Sequence, residues 1–274
     1  MKGKQMHWLF LKEETLPELW ERAVLECWNN GTPIKTEYDS SDDPPSRDST
    51  ATLVCLNPTK EPSIHKAFPG GLEELETYRQ EVVNGVHDSW IDPASGKWSY
   101  TYHQRFTEYK ENNQLDWCLE KLAEAPYTRR AQAITWQPDE DQSNPHCPCV
   151  QRVWFRCFHD TLGILKLHMH MHIRSNDAFK AGFMNMWAFI AIQKTMASLL
   201  SERIGEEVVV GPYTHIADSW HIYGSYMKED DPMGFPGFLA SVKKREFKDR
   251  VWNSTEPFVQ AAFQSARNQL ENKK

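Results

Sequence analysis

The chain has 274 residues and a formal net charge of -7, with 31 lysines and arginines against 38 aspartates and glutamates. This acidic balance argues against a protein that coats duplex DNA or RNA, because such proteins draw most of their affinity from a basic surface. Hydrophobic residues make up 40% of the chain and aromatic residues 12%, which is enough to bury a sizeable core and excludes global disorder.

The N-terminal segment does not resemble a targeting signal. No apolar run approaches the ~20 residues needed to span a bilayer, and MKGKQMHWLFLKEE has only a short apolar patch before its acidic residues. The six dispersed cysteines are expected to be reduced thiols. We therefore expect a cytoplasmic protein (in the host cytoplasm if the chain is phage-encoded) that binds no membrane and no nucleic-acid polymer.

The first half of the chain predicts three helices and one strand. Residues 15–30 form a helical pattern that starts with a capping box of Thr15 and Glu18 and stops at Gly31. Residues 36–49 are acidic and rich in serine and proline, which predicts a mobile surface loop. A strand is predicted over 50–56, and further helices over 71–84 and 114–124.

The second half of the chain alternates strand-like runs with long helices. The predicted strands are 131–136, 150–158, 164–173, 207–210 and 214–223, and the predicted helices are 178–202 and 256–271. The sequence contains no internal repeat and no clean linker. The simplest prediction is a single α+β domain over residues 1–274, with a mostly antiparallel or mixed sheet.

Cys149 and four arginines are the first candidates for chemistry. Cys149 follows Pro148 and directly precedes a strand, where a thiol is accessible; the alternative is an ordinary small apolar residue. Guanidinium groups match the oxygens of a dianionic phosphate, although most arginines are solvated surface charges. The arginines that lie in loops or at strand ends are Arg47, Arg129, Arg130 and Arg174.

His168, His170 and His172 share one face of a predicted strand, and three imidazoles are the ligand set of a catalytic zinc. Alternate residues of a straight strand lie roughly 6.7 Å apart, so these side chains fan out and do not converge on one ion. Cys147 and Cys149 lack the second cysteine pair of a structural zinc site. We therefore predict no metal, and place the histidines on a sheet face or an interface.

A polar cluster follows the histidine strand. Asp177 is placed to cap the long helix that comes next, and this would be a purely structural role. Asn185 lies about two turns into an otherwise apolar stretch, where its carboxamide needs partners that the edge of a ligand base could supply. His221 and Tyr223 share a face of a later strand.

Taken together and in this order, these strings resemble the thymidylate synthase family, which includes the pyrimidine nucleotide hydroxymethylases. The matching strings are RRAQAITWQPDED, PCVQRVWF, RSNDAFKAGFMN and the HIY of WHIYGSY, and YTYHQR resembles the family's tyrosine-and-arginine loop. The resemblance covers roughly residues 45–225. It implies the family's α/β fold, a large mixed sheet with flanking helices, in a homodimer whose sheets pack back to back.

The resemblance also implies a role for each matching residue. Cys149 would be the nucleophile that adds to C6 of the pyrimidine, so that C5 attacks the methylene group carried by 5,10-methylenetetrahydrofolate. The nucleotide phosphate would bind Arg47, Arg174 and Ser175 of one subunit and Arg129 and Arg130 of the other. Each active site of the homodimer would then need two chains.

The remaining implied roles concern the sugar, the base and the protons. His221 and Tyr223 would bind the 3′-hydroxyl of the sugar, Asn185 would read the base edge, and Asp177 would orient base and folate. Tyr102 would assist proton removal from C5. Glu81 matches the family's catalytic glutamate, with Glu76 or Glu74 as the alternatives if the register differs.

The base and the product are separate questions. The amide of Asn185 suits the O4 and N3–H edge of uracil, whereas family members acting on cytosine often place a carboxylate there. An amide can nevertheless turn to face either base. The resemblance therefore favours dUMP as the substrate and leaves dCMP as an alternative.

The chain departs from ordinary thymidylate synthases at several positions. Val150 replaces a histidine, Ile173 replaces a glutamine, the segment between Cys149 and Arg174 is longer, and the chain ends in QLENKK without the usual hydrophobic tail. That tail closes over folate, and without closure water attacks the exocyclic methylene before hydride does. We therefore hypothesise a dUMP hydroxymethylase serving a modified-base DNA pathway. The alternatives are ordinary thymidylate synthesis and a dCMP hydroxymethylase or methylase.

A non-enzymatic interpretation stays open at this point. The chain could be a nucleotide- or RNA-binding relic of the fold, or a metal-binding protein that uses the histidine strand. An enzyme would lose turnover on Cys149→Ala while keeping nucleotide binding, whereas a zinc protein would respond to chelators.

Overall fold

A large mixed sheet with helices packed on one face organises the computed structural model, which describes residues 5–95, 98–228 and 234–272. The strands are β1 (His7–Glu13), β2 (Thr32–Ile34), β3 (Ser46–Cys55), β4 (Ile64–His65), β5 (Gln132–Ile134), β6 (Val150–His159), β7 (Leu165–Ile173), β8 (Asn176–Asp177), β9 (Val208–Ile222) and β10 (Val251–Trp252). The α-helices are α1 (Leu16–Asn30), α2 (Leu72–Asn84), α3 (Tyr102–Thr107), α4 (Gln114–Glu124), α5 (Pro138–Asp141), α6 (Gly182–Ile204), α7 (Phe235–Lys244) and α8 (Pro257–Glu271).

The main sheet has the strand order β1-β3-β9-β7-β6-β5, with β2 beside β3 and β8 beside β9. Strand β1 pairs with β3, and β7 and β8 pair with β9, in parallel, while the other pairs of this sheet are antiparallel. This arrangement confirms the predicted mixed sheet with flanking helices. None of the helices in the described ranges combines the length and apolarity that crossing a membrane requires.

Helices α1 and α6 cover the buried face of the sheet. Helix α1 begins with the predicted capping box, in which Thr15 accepts from the Glu18 backbone and Glu18 accepts from the Thr15 backbone. Trp20 of α1 is fully buried, and its indole donates to the Ala178 carbonyl oxygen at 2.8 Å. Because α6 contributes many buried apolar side chains, it forms the centre of the core.

The two faces of the sheet differ sharply in exposure. Buried residues such as Leu9, Leu53 and Met169 alternate with partly or fully exposed ones along the strands. On the side away from the helices, Trp8 is 73% and Phe10 70% exposed. The described part of the chain therefore leaves one face of its own sheet without a covering layer.

Several elements differ from the predictions. Residues 46–49 belong to β3 and not to a mobile loop, because Asp39 fixes the preceding turn by accepting from the Ser46 hydroxyl at 2.8 Å. The strand β9 is continuous through Pro212 where two strands were predicted. The exposed, alternating strand β1 was missed, as was helix α7.

A buried ion-pair network joins α1 to the segment that precedes β10. Arg250 donates from Nε and Nη2 to the Glu21 carboxylate at 2.7 and 2.6 Å, and His65 Nε2 lies 2.9 Å from the same group. His65 Nδ1 accepts from the Ala67 backbone, so the imidazole is a neutral donor toward Glu21. Burial lowers the pKa of His65, which agrees with the neutral form.

Arg250→Ala is expected to lower the free energy of unfolding by about 3–5 kcal/mol, because it leaves the Glu21 carboxylate buried without its charged partner. Urea denaturation of the purified variant measures the change. The matched control is Arg203→Ala, which breaks an exposed pair with Asp116 and should cost less than about 1 kcal/mol. Equal losses for the two variants would contradict the assignment.

Candidate functional site

Cys149 lies half-buried directly before β6, where this strand meets the end of β7. The Arg174 backbone N–H donates to the Cys149 carbonyl oxygen at 2.9 Å, and its guanidinium donates to the carbonyl oxygens of Pro148 at 3.1 Å and Cys147 at 3.0 Å. Burial raises the pKa of the Cys149 thiol, and the Arg174 charge opposes that rise. The two strand ends thus hold a thiol beside a fixed cation.

A cavity of about 280 Å³ opens beside this strand junction, and Glu81, Trp98, Tyr100, Tyr102 and His146 are among the residues that line it. The two tyrosine rings lie 5.7 Å apart. Burial raises the pKa of Tyr100 to about 12, and the neighbouring Cys149 adds to the rise. The lining is therefore aromatic, with one carboxyl group and phenols that stay protonated at neutral pH.

Tyr78, on α2, belongs to the same cluster although the sequence did not single it out. Its hydroxyl donates to Asn185 Oδ1, on α6, at 2.7 Å. Burial raises the pKa of Tyr78 well above its ordinary value, with smaller contributions from Glu81, Tyr100 and Cys149. The packing of α2 on α6 thus brings the predicted base-reading amide to the cysteine and the carboxyl group.

Glu81 forms a pair with a buried histidine. His87 Nδ1 lies 2.9 Å from Glu81 Oε2, and the imidazole stacks on Trp90 with ring centroids 3.8 Å apart. Burial raises the pKa of Glu81, which the contact with His87 opposes and the nearby Asp88 reinforces. Glu81 is therefore a carboxyl group that holds its proton more tightly than an ordinary glutamate.

The two alternative glutamates are engaged elsewhere. Glu76 is buried and accepts from Arg79, Gln80 and Arg267. The carboxylate of Glu74 accepts from the Gly71 backbone N–H at 2.9 Å, at the start of α2. Of the three glutamates considered from the sequence, Glu81 is the one that lines the cavity beside Cys149.

The predicted sugar ligands lie at the end of β9, next to the Arg174 strand. The Ser219 backbone donates to the Arg174 carbonyl oxygen at 3.2 Å, and the Ser219 hydroxyl lies 3.1 Å from His221 Nδ1. The rings of His221 and Tyr223 are 5.0 Å apart. Asp48 accepts a hydrogen bond from the Ser219 hydroxyl at 3.0 Å, so the side chains at this end of β9 are held by neighbouring residues.

Asp177 does not cap the long helix, which was the structural interpretation of the sequence. Helix α6 begins at Gly182, and Asp177 Oδ1 instead accepts from the backbone N–H groups of Phe179 and Lys180 at 3.0 and 2.9 Å. The other carboxylate oxygen accepts from the Tyr226 hydroxyl. Asp177 pairs with His221 across β8 and β9, so it lies close to the predicted sugar ligands.

The predicted phosphate ligands are divided between two places. Arg47 lies in β3 opposite Ile222 of β9, near the strand end that carries Tyr223, and its guanidinium donates to the Pro45 carbonyl oxygen at 3.0 Å. Ser175 is half-buried directly after Arg174. Arg129 and Arg130 are exposed before β5, and within the described ranges their guanidinium groups have no hydrogen-bond or ion-pair partner.

The three histidines of β7 occupy separate surroundings. His172 contacts Asp218 at 3.0 Å, His170 packs on Trp154, and His168 packs on Phe158. These partners lie on the face of the sheet that the helices leave uncovered. Among the residues that the structure describes, no group of three or more His, Cys, Asp or Glu side chains could hold a metal ion.

The family model described as "Thymidylate synthase" matches residues 7–254 of the chain. The chain belongs to the thymidylate synthase family. This confirms the resemblance carried by the strings around Cys149, Arg174 and His221, and extends it beyond the predicted residues 45–225 at both ends. The chain is accordingly an enzyme of the type that transfers one carbon to C5 of a pyrimidine nucleotide.

Two relatives are 26–28% identical to the chain over the aligned residues. A protein of Methanocaldococcus jannaschii named "Putative thymidylate synthase" is 28% identical over 224 residues, covering 78% of this chain and 90% of the relative. A protein of the same name from Methanosarcina acetivorans is 26% identical over 214 residues, covering 78% and 88%.

The fold also resembles a solved structure. Thermostable thymidylate synthase A from Bacillus subtilis superposes with a TM-score of 0.59 at 17% identity, and the match covers 85% of each chain. At this identity the likeness concerns the fold, and it supports the mixed sheet with its flanking helices.

Two residues of the cluster, Tyr78 and His87, were missed by sequence reasoning. Tyr78 precedes Glu81 by three positions, so the two share a face of α2, and this spacing was the available signal. His87 follows the glycine that ends α2, and no local pattern predicts that its ring turns back toward Glu81.

Glu81→Gln is expected to raise the melting temperature at about pH 8 and to leave it nearly unchanged near pH 4.5. A raised pKa gives the folded protein stability that is present at low pH and lost as the pH rises through that pKa. The neutral amide avoids this loss. Thermal unfolding at both pH values measures the effect, with the exposed Glu120→Gln as control. A variant destabilised equally at both pH values would contradict the raised pKa.

Proposed function

We propose that the chain transfers one carbon from 5,10-methylenetetrahydrofolate to C5 of dUMP through a covalent bond between Cys149 and C6. The observation that carries this proposal is the junction of β6 and β7, where Cys149 and Arg174 lie beside the cavity lined by Glu81 and Tyr100. A nucleophile, a cation, a carboxyl group with a raised pKa and a phenol beside one cavity match the needs of a conjugate addition.

The first step requires the thiolate of Cys149. Its sulfur bonds to C6, the C5–C6 π electrons move toward C5 and O4, and the cation of Arg174 favours the charged sulfur before attack. Glu81, which holds its proton tightly, would hydrogen-bond to O4 directly or through water as negative charge develops there. After C5 has bonded to the one-carbon unit, its proton would leave to a base, with Tyr100 or Tyr102 guiding that transfer, and the transferred carbon would separate from tetrahydrofolate. Water would then add to that carbon, and the bond between Cys149 and C6 would break to restore the C5–C6 double bond and the thiolate.

The aromatic lining of the cavity fits a reduced pterin. Trp98, Tyr100 and Tyr102 supply flat apolar surface, and Glu81 supplies a polar atom at the same cavity. When bound, methylenetetrahydrofolate supplies the one-carbon unit at the oxidation level of formaldehyde. Asp177 would orient it and the base from the neighbouring sheet edge.

The nucleotide would extend from Cys149 along the ends of β7 and β9. Arg174, Ser175 and Arg47 would hold the 5′-phosphate, while His221 and Tyr223 would bind the sugar 3′-hydroxyl. The closeness of His221 to the Arg174 backbone through Ser219 supports this direction. The proposed substrate is therefore a monophosphate whose base enters the cavity and whose phosphate stays outside it.

The uncovered sheet face supports a homodimer. Trp8 and Phe10 are largely exposed on that face, and Phe158 is 41% exposed on the same side. Exposed apolar surface of this kind is typical of a face that pairs with another protein. In a back-to-back dimer, Arg129 and Arg130 would reach the phosphate site of the partner.

We favour the 5-hydroxymethyl product. A second cavity, of about 600 Å³, shares His146 and Ser99 with the first, and its lining residues include Arg105 and Asp141. Water held there would have access to the exocyclic methylene. Reductive methylation to dTMP is the second candidate, and the names of the archaeal relatives favour it.

Cys149→Ser is expected to reduce turnover at least about 1,000-fold while nucleotide binding stays within a few-fold, because a serine hydroxyl is a far weaker nucleophile than a thiolate. Mass spectrometry of the product formed from dUMP or dCMP with methylenetetrahydrofolate gives both the rate and the chemistry. Thymidylate formed together with dihydrofolate would reject the hydroxymethyl product. An unaffected Cys149→Ser variant would reject the covalent mechanism.

Cys149→Ser and Arg130→Ala are each expected to be inactive alone. Mixing the two variants is expected to make about one quarter of the active sites functional. Random exchange makes half of the dimers mixed, and each mixed dimer then has one site with neither change. Activity is measured after the subunits have exchanged, with each variant alone as the control. No recovery, although mixed dimers form, would contradict a shared phosphate site.

A further inference from the structure

Tyr78 and Asn185 form a hydrogen bond inside the cluster around Cys149, and this contact bears on the choice of base. We propose that Tyr78 is a specificity-determining residue that fixes the orientation of the Asn185 amide, so that the site accepts uracil and discriminates against cytosine. This inference rests on the proposed function, because it concerns the base that the Cys149 site binds. It addresses the freedom of an amide to turn, which the sequence alone left open.

The geometry assigns separate roles to the two ends of the amide. The Tyr78 hydroxyl donates to Asn185 Oδ1 at 2.7 Å, a short bond between two half-buried side chains. The Asn185 Nδ2 group makes no hydrogen bond to any residue that the structure describes, and it is not among the buried polar atoms without a partner. The carbonyl end is therefore held by protein, and the amino end remains available to a ligand.

Turning the amide over would remove the acceptor of the Tyr78 proton. Burial among Glu81, Tyr100 and Cys149 raises the pKa of Tyr78, so its hydroxyl stays protonated and remains a donor at neutral pH. In the turned orientation, the amino group would face the hydroxyl, and the phenolic proton would lose the acceptor that Asn185 Oδ1 provides. The half-buried setting thus selects one of the two orientations that a free asparagine would have.

The selected orientation matches one of the two bases. An amino group that is bonded to no described residue can donate to a carbonyl, and uracil has a carbonyl at C4. Cytosine has an amino group at that position, so two donors would face each other. A site discriminates strongly against a base that would leave its polar groups unpaired. A difference in apolar contact alone discriminates between two bases less strongly. The hydroxyl of Tyr78 contacts Asn185 and would not contact the base itself. Tyr78 is therefore a positioning residue.

The test compares kcat/KM for dUMP and dCMP in the wild type and in Tyr78→Phe, with the full chain and methylenetetrahydrofolate. We expect the wild type to prefer dUMP. In Tyr78→Phe, the ratio of kcat/KM for dUMP to kcat/KM for dCMP should fall about tenfold, because the Asn185 amide can then turn. Phenylalanine keeps the ring and its packing, so a general loss of activity toward both nucleotides is not the expected result.

The matched control is Tyr109→Phe, which removes a phenol hydrogen bond to Glu140, and Tyr109 does not line the cavity beside Cys149. Its ratio of dUMP to dCMP should stay at the wild-type value. The dissociation constants of dUMP and dCMP, each bound without folate, are measured as well. Their ratio reports the orientation of the Asn185 amide even in a variant with slow turnover.

The outcomes separate the two proposals. A wild type that binds neither nucleotide overturns both the proposed function and this inference. A wild type that turns over dUMP while Tyr78→Phe keeps the same ratio overturns the inference alone. A preference of the wild type for dCMP also overturns it, because the amide would then present its carbonyl end to the base.

Discussion

The hydrogen bonds from Arg174 to the segment before β6 are the contact on which the site depends. One side chain and its backbone N–H bind three consecutive carbonyl groups, at Cys147, Pro148 and Cys149. The start of one strand is thereby fixed to the end of its neighbour, and the thiol is held beside the cation that favours its ionisation. A substitution of Arg174 would consequently disturb both the charge of the site and the position of its nucleophile.

Around that junction, burial favours the protonated forms of three acidic groups. Burial raises the pKa values of Glu81, Tyr78 and Tyr100, and so favours the neutral form of each group. Groups whose protonated form is favoured can donate hydrogen bonds to a base on which negative charge develops during the reaction. The positive charge comes from Arg174, at the end of a strand of the sheet. Glu81 and Tyr78, whose neutral forms burial favours, lie on helix α2.

The sequence predicted the parts of this arrangement that depend on local pattern. Strand ends at Cys149 and Arg174 follow from alternating apolar residues, and the spacing of both strings pointed to the family. The contact between Tyr78 and Asn185 spans 107 positions and exists because α2 packs on α6, which no local pattern encodes. The start of α6 was predicted too early, since Asp177 binds the turn before the helix and so resembles a helix cap in sequence.

Discrimination between bases and formation of the product need not have the same physical origin. The hydrogen bond of Tyr78 restricts an amide and acts on the base before any covalent bond forms, whereas the methyl or hydroxymethyl outcome depends on whether water or hydride reaches the one-carbon unit afterwards. The two features lie on different elements. The amide and its phenol lie on α6 and α2, and the second cavity lies at the segments around Ser99 and His146. Substitutions in one should therefore change the ratio of substrates while leaving the ratio of products, and the converse should hold for the other.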